Sequence, residues 1–127
     1  MDAKFVAAAR GWIGVPWAHQ GRSRAGVDCI GLVVMAARDC GLQVPLEATY
    51  GRTQAYRQAK PLLGQWCERA GQAGEGTIAL YMDSSQLHVG VLTGSGTVVQ
   101  ALAGAGRVVE SGLNFEPRQF WRPKWPC

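Results

Sequence analysis

The stretch RAGVDCIGLVVMAARDCG, from Arg24 to Gly41, decides the fold because it holds both ends of an apolar helix. Asp28 is a residue type that caps helix N-termini, and Gly41 suits the position just after a helix end. These signals predict a helix over 29–40 that packs through one apolar stripe. The stripe consists of Ile30, Val33, Val34 and Ala37.

Cys29 directly follows the cap and therefore occupies the first turn of this helix. Unpaired N–H groups and the positive end of the helix dipole favour thiolate there, which predicts a pKa below the free value of about 8.5. The same N–H groups could hold an oxyanion, and Gly31 would leave the sulfur uncrowded. The alternative is a small buried apolar residue at a helix start.

On either side of this stretch the pattern remains helical. A helix is predicted over 3–14, ended by Pro16, with Ile13 in an inward stripe that also contains Phe5, Val6, Ala9 and Trp12. Residues 17–27 are predicted as a loop, and 43–60 receive no assignment. A further helix is predicted over 61–70, with Leu62, Leu63 and Trp66 inward.

From residue 77 onward the pattern changes to short apolar runs separated by turn residues. Strands are predicted over 77–83, 88–93, 97–102 and 107–111, with a last one near 119–123. Helices followed by an antiparallel meander indicate an α+β fold, in which the N-terminal helices pack on the sheet. At 127 residues, the chain is predicted to form a single domain over 1–127.

A nucleophilic cysteine needs a base, and a base needs an orienting partner. His88 opens a predicted strand, and Gln100 lies on the next strand, near His88 across the hairpin. The amide oxygen of Gln100 could accept the proton on His88 Nδ1. The alternatives are a polar residue beside a turn for His88 and a glutamine bonded to backbone for Gln100. His19, in the loop before Cys29, is predicted to shape the site or bind substrate.

Composition and charge exclude several classes of protein. The net charge of +4 comes from basic residues that are scattered along the chain, and the sequence contains no zinc-finger spacing. No nucleic-acid partner is therefore expected. No apolar run is long enough to span a membrane. Arg10 interrupts the apolar run near the N-terminus, so the sequence predicts synthesis in the cytoplasm without a signal peptide. The four cysteines form no CxxC pair, so neither a disulfide framework nor a metal site is expected.

Two segments resemble one family. GWIGVPWAHQGRSRAGVDCIGLV (11–33) resembles the nucleophile segment of NlpC/P60 cell-wall cysteine peptidases, and LHVGVLTGSGTVVQAL (87–102) is similar to their histidine segment. The HQGRSRAGVDC version (19–29) most resembles small NlpC/P60 proteins encoded with phage tail genes and gene-transfer-agent-like particles. The resemblance implies a papain-like fold with Cys29 as nucleophile, His88 as general base and acid, and Gln100 as the orienting residue.

The resemblance also implies a substrate, the peptidoglycan stem peptide, cut between γ-D-glutamate and diaminopimelate or lysine, without a cofactor. Four residues become substrate-binding candidates: Trp17, His19, Arg22 and Asp28. Arg22 would bind stem carboxylates, or else be a solvated loop charge. The sequence departs from the family at three positions. The family has tyrosine at the position of Trp17, serine at that of Ile30 and commonly histidine at that of Gln100.

Three alternatives remain open: an acyltransferase or amidase on the same fold, a non-catalytic tail-tip module, and a bacterial effector. On the phage interpretation, tail proteins would be partners, and the enzyme would ride on the virion tail to act in the periplasm or cell wall.

Overall fold

The structure, a computed structural model, describes residues 1–46, 55–83, 86–113 and 116–125. Within these ranges the helices are α1 (Asp2–Arg10), α2 (Cys29–Asp39) and α3 (Ala55–Gly64). The strands are β1 (Arg22–Ser23), β2 (Gly26–Val27), β3 (Cys67–Ala70), β4 (Ile78–Asp83), β5 (Gln86–Leu92), β6 (Thr97–Leu102), β7 (Arg107–Gly112) and β8 (Pro117–Pro123).

The helix α2 confirms both predicted end signals. The Asp28 side chain accepts a hydrogen bond from the Gly31 N–H at 2.7 Å, which is the geometry of an N-cap. At the other end, Gly41 has a φ of +90°, and the Gly41 and Leu42 N–H groups donate to the Arg38 and Ala37 carbonyls. This pair of bonds is the Schellman arrangement, in which glycine relieves the steric cost of the left-handed turn.

The helix α1 is shorter than predicted. It ends at Arg10, and residues 11–14 form turns in which Gly14 has a φ of +92°. Phe5, Val6, Ala9 and Trp12 are buried as expected, but Ile13 is 46% exposed. The prediction for Ile13 was wrong because the helical register stops before this residue, so the stripe does not continue through it.

The prediction of a helix over 61–70 was also wrong. Helix α3 contains Pro61 but ends at Gly64, and Cys67–Ala70 form the strand β3. Leu63 and Trp66 are nevertheless buried, as the inward stripe required. A stripe of buried residues that crosses from a helix end into a short strand has no single period, so periodicity alone cannot find the boundary.

One antiparallel sheet of six strands forms in the order β3-β8-β4-β5-β6-β7. Its part β4-β5-β6-β7 is the predicted meander, since each strand pairs with the next in sequence. The predicted last strand exists as β8, but it inserts between β3 and β4. The α+β fold class is therefore confirmed.

The helices cover one face of this sheet. The main core packs Phe5 of α1 and Leu32 and Val33 of α2 against strand residues such as Val89 and Val99. The other face carries a smaller cluster of Ala79, Tyr81, Leu92 and Val98, with Phe120 against it. Among the described helices, none is both long and apolar enough to cross a membrane.

Candidate active site

The turn that leads into Cys29 is organised around the Asp28 carboxylate. Besides capping α2 through the Gly31 N–H, the carboxylate accepts the Gln20 N–H at 2.8 Å through its other oxygen. Gln20 has a φ of +59°, and this conformation is costly for a residue with a Cβ. Asp28 therefore ties the glycine-containing loop to the start of α2.

Arg22 is the third partner of this carboxylate. Its Nη1 lies 3.3 Å from Asp28 Oδ1 and donates to the Gly21 carbonyl at 2.9 Å. The side chains of Arg22 and Asp28 are only 10% and 4% exposed. The alternative of a solvated loop charge was therefore wrong for Arg22, because its guanidinium is buried in an ion pair.

The segment predicted as a loop over 17–27 contains two short strands. β1 pairs with β2 as a small hairpin, with Arg22 opposite Val27. Trp17 forms a bridge with Val27, and its N–H donates to the Gly106 carbonyl at 2.9 Å. Strands of two residues are too short for alternation to reveal them, so this hairpin could not be predicted from the pattern.

Gly31 has a packing role that was not predicted. A Cβ on this residue would lie 2.2 Å from the Gly21 carbonyl oxygen and 2.9 Å from Arg22 Nη1. The missing side chain therefore makes room for the loop that carries Arg22. That Gly31 keeps the approach to the sulfur open stays a prediction.

Cys29 lies in the first turn of α2, as predicted, but its pKa is opposite in direction to the prediction. Burial and, to a lesser extent, the Asp28 carboxylate raise the pKa of the Cys29 thiol from 9.0 to about 12. Backbone hydrogen bonds from Val89, Ile30 and Cys29 itself oppose this rise. Desolvation outweighs those hydrogen bonds because Cys29 is only 7% exposed, and the position at a helix start does not reveal this burial.

His88 lies on β5, directly before the residue whose backbone contacts the Cys29 sulfur. In the β4–β5 pairing it stands opposite Tyr81, and the two rings are stacked with centroids 6.1 Å apart and planes at 26°. Tyr81 is 2% exposed, so it provides a fixed surface behind the imidazole. Tyr81 was not among the predicted site residues, although its strand and the strand of His88 were both predicted.

Gln100 is buried on β6, but its amide is not bonded to His88. A Cβ on Gly90 would lie 3.3 Å from the Gln100 Cβ, which places Gln100 on the face that Gly90 shares with His88. Its Nε2 donates to Ser111 Oγ on β7 at 2.9 Å, and Oε1 accepts no hydrogen bond from the described residues. The structure thus adds Ser111, which the sequence analysis did not consider, as the bonded partner of Gln100.

The remaining candidate residues differ in how far they are exposed to solvent. Trp17 is half-buried and packs against the main core, whereas His19 is exposed. Asp28 and Arg22 are occupied with each other rather than displayed toward solvent. Across the described parts of the chain, no three His, Cys, Asp or Glu residues come together as a set of metal ligands.

Comparisons with known proteins bear on the family and the fold of the chain. The model of the NlpC/P60 family matches residues 14–124, and no curated protein matches the chain. Among solved structures, the NlpC/p60 domain of the peptidoglycan hydrolase SagA is 20% identical with a TM-score of 0.61, and the match covers 96% of this chain and 97% of that one.

Two mycobacterial structures are similar as well. The peptidoglycan hydrolase RipB from Mycobacterium tuberculosis is 22% identical, with a TM-score of 0.68 and coverage of 98% of this chain and 65% of that one. RipD from the same organism, described as a non-catalytic NlpC/p60 domain protein adapted to peptidoglycan binding, is 18% identical with a TM-score of 0.61 over 98% and 97% of the chains. The fold is the papain-like α+β fold of these proteins, and the chain belongs to the NlpC/P60 family.

Proposed function

We propose that the protein is a cysteine endopeptidase that hydrolyses peptidoglycan stem peptides. One observation carries the proposal: Cys29 stands at a capped helix N-terminus with three backbone N–H groups at its sulfur, and the strand that provides one of them also carries His88. The family of the chain and the peptidoglycan hydrolases SagA and RipB support the substrate class.

The raised pKa of Cys29 determines that the mechanism begins from the protonated sulfur. The resting enzyme holds a thiol, so His88 accepts the thiol proton as the sulfur attacks the carbonyl carbon of the scissile amide. The N–H groups at the helix start stabilise the oxyanion of the tetrahedral intermediate. His88 then protonates the leaving amine, and the acyl group remains on the sulfur as a thioester.

Deacylation reverses the roles with water as nucleophile. His88 takes a proton from the water, the hydroxide adds to the thioester carbonyl, and the carboxylic acid product leaves as the sulfur regains its proton. Gln100 is proposed to orient His88 from the adjacent strand. Rotation of its amide would bring the unbonded Oε1 toward the imidazole, because Gln100 lies on the same sheet face.

The bond that we propose is the amide between γ-D-glutamate and diaminopimelate, which the resemblance implies. Trp17, His19, Asp28 and Arg22 were the substrate-binding candidates. We keep Trp17 and His19 in that role, since Trp17 is half-buried and His19 is exposed in the segment that leads to Cys29. The HQGRSRAGVDC segment supports a phage tail protein, synthesised in the cytoplasm and carried on the virion to the periplasm or cell wall, with tail proteins as partners.

A second function is favoured by the buried, protonated state of Cys29. A domain with this thiol could bind peptidoglycan without cutting it. RipD is described as such a non-catalytic protein adapted to peptidoglycan binding. This would be the non-catalytic module, and it differs from the peptidase in product formation rather than in binding.

Purified muropeptides incubated with the protein and analysed by mass spectrometry decide between the two. We expect cleavage by the wild type, with fragment masses that locate the bond, and none by Cys29→Ala or His88→Ala. Cys40→Ala is the matched control, since Cys40 lies at the other end of α2 and should leave cleavage intact. Binding to purified sacculi without cleavage of tri-, tetra- or cross-linked stems would establish the non-catalytic module instead.

A further inference from the structure

Arg22 has an environment that a loop arginine rarely has. Its side chain is 10% exposed, and Nη1 bonds both to Asp28 Oδ1 and to the Gly21 carbonyl. We propose that Arg22 is a positioning residue for the nucleophile, which acts through Asp28 by fixing its carboxylate and offsetting its charge beside Cys29. The inference rests on the proposed function only in naming Cys29 the nucleophile.

The geometry shows why Asp28 needs a fixed position. Its carboxylate accepts from the Gly31 N–H in α2, from the Gln20 N–H in the loop and from the Arg22 guanidinium in β1. The three donors belong to three local structures, and this side chain bonds to all of them. Arg22 therefore joins the loop to the helix start, since its own second bond goes back to Gly21.

The electrostatics show why Asp28 needs a compensating charge. A buried carboxylate next to Cys29 disfavours the thiolate, and this repulsion is strong where water is excluded. A guanidinium in contact with the carboxylate reduces the net charge that the sulfur experiences.

The packing is built around this side chain. Arg22 Nη1 occupies the place beside Gly31 where a Cβ would be only 2.9 Å away. The bare backbone of α2 at Gly31 therefore admits the guanidinium to the inside of the turn. A larger residue at position 31 would push Arg22 and Gly21 away from the helix.

Other titratable groups around the turn come from different elements. Strand β5 contributes His88, and β4 contributes Tyr81 behind it. Arg24, two residues after Arg22, points elsewhere: its guanidinium lies 3.7 Å from the Trp12 ring centroid, and it donates to the Gly11 carbonyl. Arg24 is therefore a matched control, an arginine of the same hairpin that does not touch Asp28.

The test measures alkylation of Cys29 by iodoacetamide as a function of pH, with peptide-level mass spectrometry separating it from Cys40 and Cys67. For Arg22→Met we expect the rate at pH 8 to fall about three- to tenfold, which corresponds to a pKa higher by about half to one unit. Arg22→Lys keeps the charge, so its rate should return to within about twofold of wild type, and Arg24→Met should match wild type. A wild-type pH profile for Arg22→Met, measured on protein shown to be folded by circular dichroism, would overturn the proposal.

A double variant keeps the proposal testable if Arg22→Met fails to fold. Arg22→Met with Asp28→Asn removes both buried charges but leaves an N-cap side chain. We expect its Cys29 alkylation to be at least as fast as in wild type, and a rate reduced tenfold would contradict charge compensation. Alkylation of Cys29 requires no peptidoglycan, so it is measured independently of muropeptide cleavage. If the wild type cleaves no muropeptide but Arg22→Met still slows alkylation, the peptidase function is refuted and this inference is not.

Discussion

At the scale of single residues, Cys29 shows how burial and helix position compete. The sequence correctly places the cysteine at a helix start, and the structure encloses it until desolvation dominates its pKa. Enclosure depends on β5, which reaches the sulfur through Val89 from sixty residues away in the chain. A local pattern cannot report such a contact, so the direction of the pKa shift could not have been predicted from the sequence.

The raised pKa of Cys29 predicts a dependence of stability on pH. Folding favours the thiol, so its stabilising contribution is complete below the ordinary pKa of 9.0 and is lost as pH rises toward about 12. Between pH 8 and 10, the free energy of unfolding of wild type should therefore fall by about 1 kcal/mol more than that of Cys29→Ala. Urea denaturation at both pH values, under reducing conditions, measures the difference.

Burial also raises the pKa of Cys67. This shift changes the stability of wild type and of Cys29→Ala with pH in the same way, so it cancels from the comparison. Equal pH dependence in wild type and Cys29→Ala would mean that the sulfur of Cys29 is not enclosed in the folded protein.

At the scale of elements, the contact between α2 and the β1–β2 hairpin depends on backbone approaching backbone. Gly31 lies in the first turns of α2, where the Gly21 carbonyl occupies the space of its missing side chain. The capped helix was predictable because its end signals are local. The hairpin was not, because each of its strands has only two residues.

Gly31→Ala should therefore destabilise the protein, although alanine is the better helix former by about 1 kcal/mol. The Cβ would lie 2.2 Å from a backbone oxygen, which cannot move without displacing the loop. We expect a loss of about 2 kcal/mol or more in the free energy of unfolding, as for an overpacked site. Urea denaturation followed by circular dichroism measures it.

Gly64→Ala is the matched control in another helix. No atom lies within 4 Å of the position that its Cβ would occupy at the end of α3. This substitution should be neutral or stabilising by up to about 1 kcal/mol. Equal effects of the two substitutions would contradict the packing described for the α2 start.

At the scale of the whole molecule, the sheet depends on β8. This strand pairs with β3 on one side and with β4 on the other, so it joins the two parts of the sheet. The four strands of the meander were predictable because each is a local apolar run followed by a turn. The place of β8 was not, because strand order beyond nearest neighbours follows from packing that a one-dimensional pattern does not contain.

Trp121→Ala should show how much of the molecule this strand supports. Trp121 is 9% exposed, belongs to the main core and lies 5.5 Å below the Arg69 guanidinium of β3. We expect a loss of about 3–5 kcal/mol in the free energy of unfolding, typical of a large buried aromatic residue replaced by alanine. Thermal or urea unfolding with two spectroscopic probes should still give one coincident transition.

Phe120→Ala provides the comparison on the same strand. Phe120 is only partly buried and packs on the opposite face of the sheet, against the smaller cluster. Its truncation should cost clearly less than that of Trp121. A larger effect at Phe120 would show that the smaller cluster, rather than the helix-covered face, holds β8 in the sheet.

The insertion of β8 between β3 and β4 also bears on how the protein is made. During synthesis, β3 and β4 leave the ribosome long before residues 117–123 exist. Until then each presents a row of unpaired backbone groups, a state that favours pairing with other chains. The nascent chain thus remains vulnerable to edge-to-edge association until residues 117–123 have emerged, and slower translation would prolong that exposure.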